Sequence, residues 1–131
     1  MSNYDWSEIV SELRRYLHLM YTPVGMKWIR TEDELLAIPK VRIHTKHYAP
    51  CMVVGQALQF GWTSACKPEN IHNNYCRGVN GLTERDEKWY SGEVFEGVWY
   101  GNGDAAKGHH AALHCVPSDY CAIVASPVDS G

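Results

Sequence analysis

The stretch "YCAIVA", residues 120–125, decides the fold. It is a short, unbroken apolar run closed by Ser126 and Pro127, and a run of that length reads as a buried strand. A buried strand needs neighbours in a sheet, and two other stretches alternate in the manner of half-buried strands. In Val24-Gly-Met-Lys-Trp-Ile29, the side chains of Val24, Met26 and Trp28 share one face, and Gly25, Lys27 and Ile29 the other. In Glu93 to Tyr100, Val94, Glu96, Val98 and Tyr100 alternate with Phe95, Gly97 and Trp99. The predicted sheet therefore contains residues 23–29, 93–100 and 119–125, with Val41 to His47 as a further candidate strand.

Helices are interleaved with these strands. Asp5-Trp-Ser-Glu8 has the form of a capping box with Asp as the cap. Trp6, Ile9, Val10, Leu13, Leu17 and Met20 follow at helical spacing, which predicts an amphipathic helix over about residues 6–19. His18 lies near the end of that helix, where a cation suits the dipole, and reads as structural. Thr31-Glu-Asp-Glu34 is a second box opening a short helix that stops before Pro39. Pro50 suits the first turn of a helix running from Cys51 to Phe60 and closed by Gly61. Asp104 caps a last helix through about Cys115, ended by Pro117. Residues 62–92 are polar and turn-rich, with Trp62, Ile71 and Tyr75 as anchors, and a connection so long is either functional or built of short elements. The reading is an α+β (mixed α/β) fold, one domain over residues 1–131, with a small sheet flanked by about three to four helices.

Composition narrows the function classes. Of 131 residues, 45% are apolar and 21% charged, which suits a globular domain and not a disordered chain. The net charge is -3, so no basic surplus supports nucleic-acid binding, and Arg14–Arg15 is the only adjacent basic pair. No apolar stretch approaches the roughly 18–20 residues of a membrane span, and Met1 to Ser7 lacks the features of a signal peptide. The expected compartment is the cytoplasm, where the five cysteines, at 51, 66, 76, 115 and 121, stay reduced unless they bind something. Five Trp and eight Tyr stand against only two Phe, a bias toward aromatic rings with polar tips that suits a ligand pocket, a protein interface or the edge of a core.

Three constellations carry potential chemistry. Cys66, His72 and Cys76 have the spacing C-x5-H-x3-C, with Cys51 as a candidate fourth ligand. Thiolates and imidazoles bind zinc, and thiolates hold iron–sulfur clusters, though the spacing matches no standard finger or ferredoxin pattern. The competing reading is that these cysteines pack as small hydrophobes. Second, His44 and His47 precede Cys51, whose place at a helix start would favour a reactive thiolate, making Cys51 the candidate nucleophile. Third, His110 and His114 lie four apart on one helical face, without the Glu of H-E-x-x-H, so a metalloprotease is unsupported and exposed histidines on a polar face are the alternative. No phosphate-binding glycine loop and no nucleophile-elbow serine is present.

Pro23-Val-Gly-Met-Lys27, Cys51, Cys76-Arg-Gly78, Gly81-Leu82, Ser91-Gly92 and Ser126-Pro127, in that order, resemble the domain of unknown function 169 family. The resemblance spans roughly residues 8–128. Family members occur in archaea and anaerobic bacteria, and their first motif usually reads Pro-Val-Ala-Val-Lys, from which Gly25 and Met26 depart. Members are typically longer past the point corresponding to Pro127, so this chain is expected to be a short or truncated form. The resemblance implies a fold and no established activity; it also lifts Lys27 as a candidate anchor for an anionic ligand.

Three functional expectations follow. The first is a small cytoplasmic cofactor- or metal-binding domain, catalytic or a subunit of a redox or anaerobic-metabolism enzyme, with zinc or an iron–sulfur cluster on the Cys/His set. The second is a non-catalytic accessory subunit or homo-oligomer whose Trp/Tyr-rich surface meets a partner. The third is a binding module for an aromatic or anionic small molecule, lined by Trp28, Trp62, Tyr75 and Trp99 with Lys27 as the anchor.

Overall fold

The computed structural model describes residues 4–95, 100–112 and 117–128. Helix α1 (Trp6–Leu17) begins where the Asp5 carboxylate accepts hydrogen bonds from the N–H groups of Ser7 at 3.0 Å and Glu8 at 3.2 Å. It ends at His18, whose φ of 48° turns the chain out of the helix. Strand β1 (Val24–Ile29) follows, then α2 (Glu32–Leu36), capped by Thr31 Oγ1 accepting from the Glu34 N–H. Strand β2 is only Arg42–Ile43. Helix α3 (Pro50–Phe60) starts on Pro50 and stops at Gly61, whose φ of 66° and N–H bond to the Ala57 carbonyl make a left-handed cap. After β3 (Ser64–Cys66) come a 3-10 turn at Pro68–Asn70, α4 (Asn74–Val79), α5 (Glu87–Ser91) and a second 3-10 turn at Glu93–Phe95. Helix α6 (Gly103–Ala112) and strand β4 (Ala122–Pro127) complete the described chain.

The strand order is β1-β4-β3-β2. Strand β4, which begins and ends two residues later than the apolar run, lies inside the sheet and is antiparallel to both neighbours, with Lys27 opposite Val124 and Ala65 opposite Val124 on the other side. Strands β2 and β3 are parallel, joined across α3 in a β-α-β unit. Strand alternation divides the sheet's side chains between two layers. One face carries Ile123, Ala125 and Cys66, which pack on Val53 and Ala57 of α3 with Ile71 and Leu82. The opposite face carries Ile29, Ala122, Val124 and Ala65 around Leu35 of α2. Helix α2 has five residues and covers only one end of that face. A third cluster, Trp89, Phe95 and Ala106, ties α5 to α6 away from the sheet.

One expectation is corrected, and two features go beyond the sequence reading. The first described residues of the predicted strand 93–100 form a 3-10 turn instead: Gly92, at φ 81°, ends α5, the Phe95 N–H bonds back to the Gly92 carbonyl, and burial of Phe95 against Trp89 overrides the alternating pattern. Residues 96–99, Trp99 among them, lie outside the described residues. Among the described residues the four helices read from the sequence are joined by two more within the turn-rich stretch 62–92, α4 and α5, whose six and five residues show too little periodicity to be read. Finally, an amphipathic helix ordinarily buries its stripe, yet only Val10 of α1 is buried, and Trp6, Leu13 and Leu17 are exposed.

The motif residues Gly78, Gly81, Leu82 and Gly92 hold the architecture. Gly78 passes under the Trp89 ring so closely that any Cβ would fall inside van der Waals contact. Gly81 adopts φ 68°, its carbonyl accepts from the Tyr120 N–H, and Leu82 enters the core. Trp28 Nε1 donates to the Asn80 carbonyl at 3.1 Å, which fixes the same loop to β1.

Candidate functional site

The half of the sheet that α2 leaves uncovered is the floor of a cleft of about 790 Å³, within the size range of small-molecule sites. Its floor comes from alternate residues of β1 and β4 and the residue before β3: Gly25, Lys27, Val124, Ser126 and Thr63. Thr63 Oγ1 and Ser126 Oγ are 2.7 Å apart, so the floor's two hydroxyls bond each other and leave a largely apolar surface. Ile38, Pro39, Trp62 and Trp6 complete the apolar walls.

Among the described residues, three cations rim this surface and no carboxylate lines it. Lys27 Nζ lies 2.7 Å from Glu34 Oε1, which holds the ammonium at the cleft's edge. That lysine contact, then the Arg30 N–H, keeps the Glu34 carboxyl below its ordinary range. The Arg42 guanidinium carbon sits 3.7 Å from the centroid of the Trp62 ring, a cation–π stack that presents a flat charged plate to the cleft. Lys40 follows α2 at φ 55°, a turned-out backbone position. Of the residues the sequence singled out, Lys27 and Trp62 thus meet in one place. Trp28 is committed to the α3-side core, and Tyr75 to the Trp89 cluster. Lys40, Arg42 and Trp6 were not read from the sequence, since only sheet pairing and the turn at Lys40 bring them to this wall.

The thiols and imidazoles gather elsewhere, beyond the carboxyl ends of the parallel strands β2 and β3, where open α/β sheets place their ligands. Cys51 is exposed in the first turn of α3, Cys66 ends β3 fully buried, and Cys76 is partly buried in α4. Burial, then the Cys51 and Cys76 thiols, push the Cys66 thiol up to about 12. Burial, then Cys51, raise Cys76 as well. These three sulfurs therefore sense one another, but Cys66 is a neutral thiol packed on Ile123 and Val53. The His47 and His72 rings meet edge to face with centroids 3.7 Å apart, in loops joined by the Tyr48 N–H to Asn70 carbonyl bond. His44 is engaged by Gln56 at 2.8 Å and stacks on Tyr48. Among the described residues, no three His, Cys, Asp or Glu side chains are gathered closely enough to hold a metal ion, so C-x5-H-x3-C does not close into a ligand set there.

His110, expected on an exposed polar face, is buried: its ring stacks on Trp89 with centroids 4.7 Å apart, and Nδ1 lies 3.0 Å from the Trp89 carbonyl. His114 and Cys115 lie outside the described residues.

The match to known families agrees with this arrangement of motifs. The family model DUF169, described as uncharacterised ArCR, matches residues 12–130, and the chain belongs to that family. No curated protein and no solved structure matches the chain. No helix among the described residues is long and apolar enough to cross a membrane.

Proposed function

We propose that the protein is a cytoplasmic binding module for a small molecule that joins an anionic group to a flat apolar body. One observation carries the reading: among the described residues, a cleft of about 790 Å³ is lined by Lys27, Lys40 and Arg42 and by no carboxylate, in a chain whose net charge is -3. The cations supply charge-assisted hydrogen bonds to a carboxylate, sulfonate or phosphate. Trp62 and the Val124 floor receive the apolar part. Because Arg42 already stacks on Trp62, a planar ligand can extend that stack without new ordering of the guanidinium.

The test is a titration with 2-naphthoate and its neutral analogue 2-naphthalenemethanol, followed by tryptophan fluorescence and calorimetry. The anion should bind at least about tenfold more tightly, matching about 1.5–3 kcal/mol for a hydrogen bond to a charged group. The Lys27→Ala/Arg42→Ala double variant should lose that preference while keeping its fold. Equal binding of the two compounds, or an anion preference that survives the double variant, refutes the reading.

A second reading rests on the mutual influence of Cys51, Cys66 and Cys76 beside the His47–His72 pair. In it the corner holds zinc or an iron–sulfur cluster, and the chain serves a redox enzyme. Elemental analysis and an absorbance spectrum of anaerobically purified protein decide it: metal-free protein without visible absorbance removes this reading.

A further inference from the structure

Glycine inside a strand weakens it, and it ordinarily marks a bulge or a place where another backbone or a ligand comes close. Gly25 lies inside β1. The β1–β4 pairing runs unbroken from Val24 opposite Pro127 to Ile29 opposite Ala122, so there is no bulge. The backbone does not demand glycine either: of the two glycines in the cleft lining, Gly61 has a φ of 66° and Gly25 is extended. Nor does packing. Among the described residues, a Cβ at position 25 would meet nothing nearer than Val128 Cγ2 at 3.6 Å and the Ser126 carbonyl oxygen at 3.9 Å, which are ordinary contacts. What remains is the space above it, and that space is the cleft.

The neighbours of Gly25 give that space a length. Gly25 is opposite Ser126, and the β4–β3 register carries the row on to Thr63, whose hydroxyl bonds Ser126. From Gly25 to Thr63 the row crosses two strand spacings, roughly 10 Å. A single ring covers little more than one spacing, whereas a fused two-ring body covers both. We infer that Gly25 is the residue that sets which ligands the cleft admits: the ligand is an anion whose flat body is at least two fused rings long and lies across the Gly25–Ser126–Thr63 row, and a side chain at position 25 would shorten the floor to one ring. This rests on the cleft reading and names its ligand class.

The test is calorimetry of the full chain with 2-naphthoate, its neutral analogue 2-naphthalenemethanol, and benzoate. The wild type should bind 2-naphthoate more tightly than benzoate. Gly25→Ala should weaken both two-ring compounds at least about tenfold, and Gly25→Val further, since one surplus methylene in an apolar pocket costs about 10- to 200-fold. Benzoate should bind the variants as it binds the wild type. The urea midpoint of Gly25→Ala should rise, because alanine suits a strand better than glycine. Naphthoate held no better than benzoate overturns the inference. So do two-ring binding that survives both substitutions, a loss shared equally by benzoate, and a loss accompanied by a lower urea midpoint. The neutral compound separates this inference from the reading beneath it. Equal binding of the two naphthalenes, both lost in Gly25→Ala, refutes the charge preference and keeps the role of Gly25. An anion preference unchanged in the Gly25 variants does the reverse, and a wild type that binds neither naphthalene overturns both.

Discussion

Replacing Gly78 by alanine should destabilise the protein, although the same change elsewhere in a helix should stabilise it. Gly78 lies in α4, where alanine gains up to about 1 kcal/mol in helix propensity. Against that, the added methyl would lie 2.9 Å from Trp89 Cε3 and closer still to two other ring carbons. The ring has no room to retreat: it stacks on His110 at 4.7 Å, meets Phe95 edge to face at 5.2 Å and lies beside Tyr75 at 5.9 Å. Overpacking of such a site costs about 1–3 kcal/mol, occasionally more, so the net loss should be about 1–2 kcal/mol. Gly55, in the middle of α3, has nothing within 4 Å of its would-be Cβ. Gly55→Ala should therefore gain about 0.5–1 kcal/mol. Urea unfolding at one protein concentration, with m near 2 kcal/mol/M, should show midpoints displaced in opposite directions, down by roughly 0.5–1 M for Gly78→Ala. A Gly78→Ala protein as stable as the wild type would mean that the α4–α5 contact is looser than described.

The thiols give two further expectations. With its folded value about 12 and an unfolded thiol near 8.5, Cys66 stays protonated in the native state while the unfolded chain ionises. Its contribution to stability is full below about pH 8.5 and is lost as pH rises toward 12, by up to about 1.4 kcal/mol per pH unit. Urea midpoints at pH 8 and pH 10 should show this fall, and Cys66→Ala should flatten it; an unchanged slope in that variant contradicts the assignment. Iodoacetamide on native protein should label the exposed Cys51 first and reach the buried Cys66 only under unfolding conditions; equal rates at the two would show that β3 opens readily.

Much of the fold was legible in local pattern. Asp5, Thr31, Pro50 and Gly61 mark helix ends because capping is a contact between near neighbours in the chain. The run at 120–125 identified β4 because a strand buried on both faces has no polar side to show. Strand β3 escaped notice because Ser64, Ala65 and Cys66 carry no strong strand propensity; they are extended only because β4 and β2 pair with them. The segment after Gly92 misled for the converse reason, since its alternation was genuine and a tertiary contact of Phe95 outweighed it.

The candidate sites divide in the same way. Lys27, Trp62 and Cys51 could be singled out by residue type and by resemblance, but nothing in the chain's order says that Lys27 and Trp62 face one cleft while Cys51 stands at another corner. The sequence by itself determined roughly where α1, β1, α2 and α3 lie, and that α1 carries an apolar stripe, because these follow from neighbours a few residues apart. Only the tertiary structure decided that Arg42 lies on Trp62 beside Lys27 and that Gly78 must be small. Each of these depends on distances between segments tens of residues apart, set by sheet pairing and core packing together and encoded at no single position.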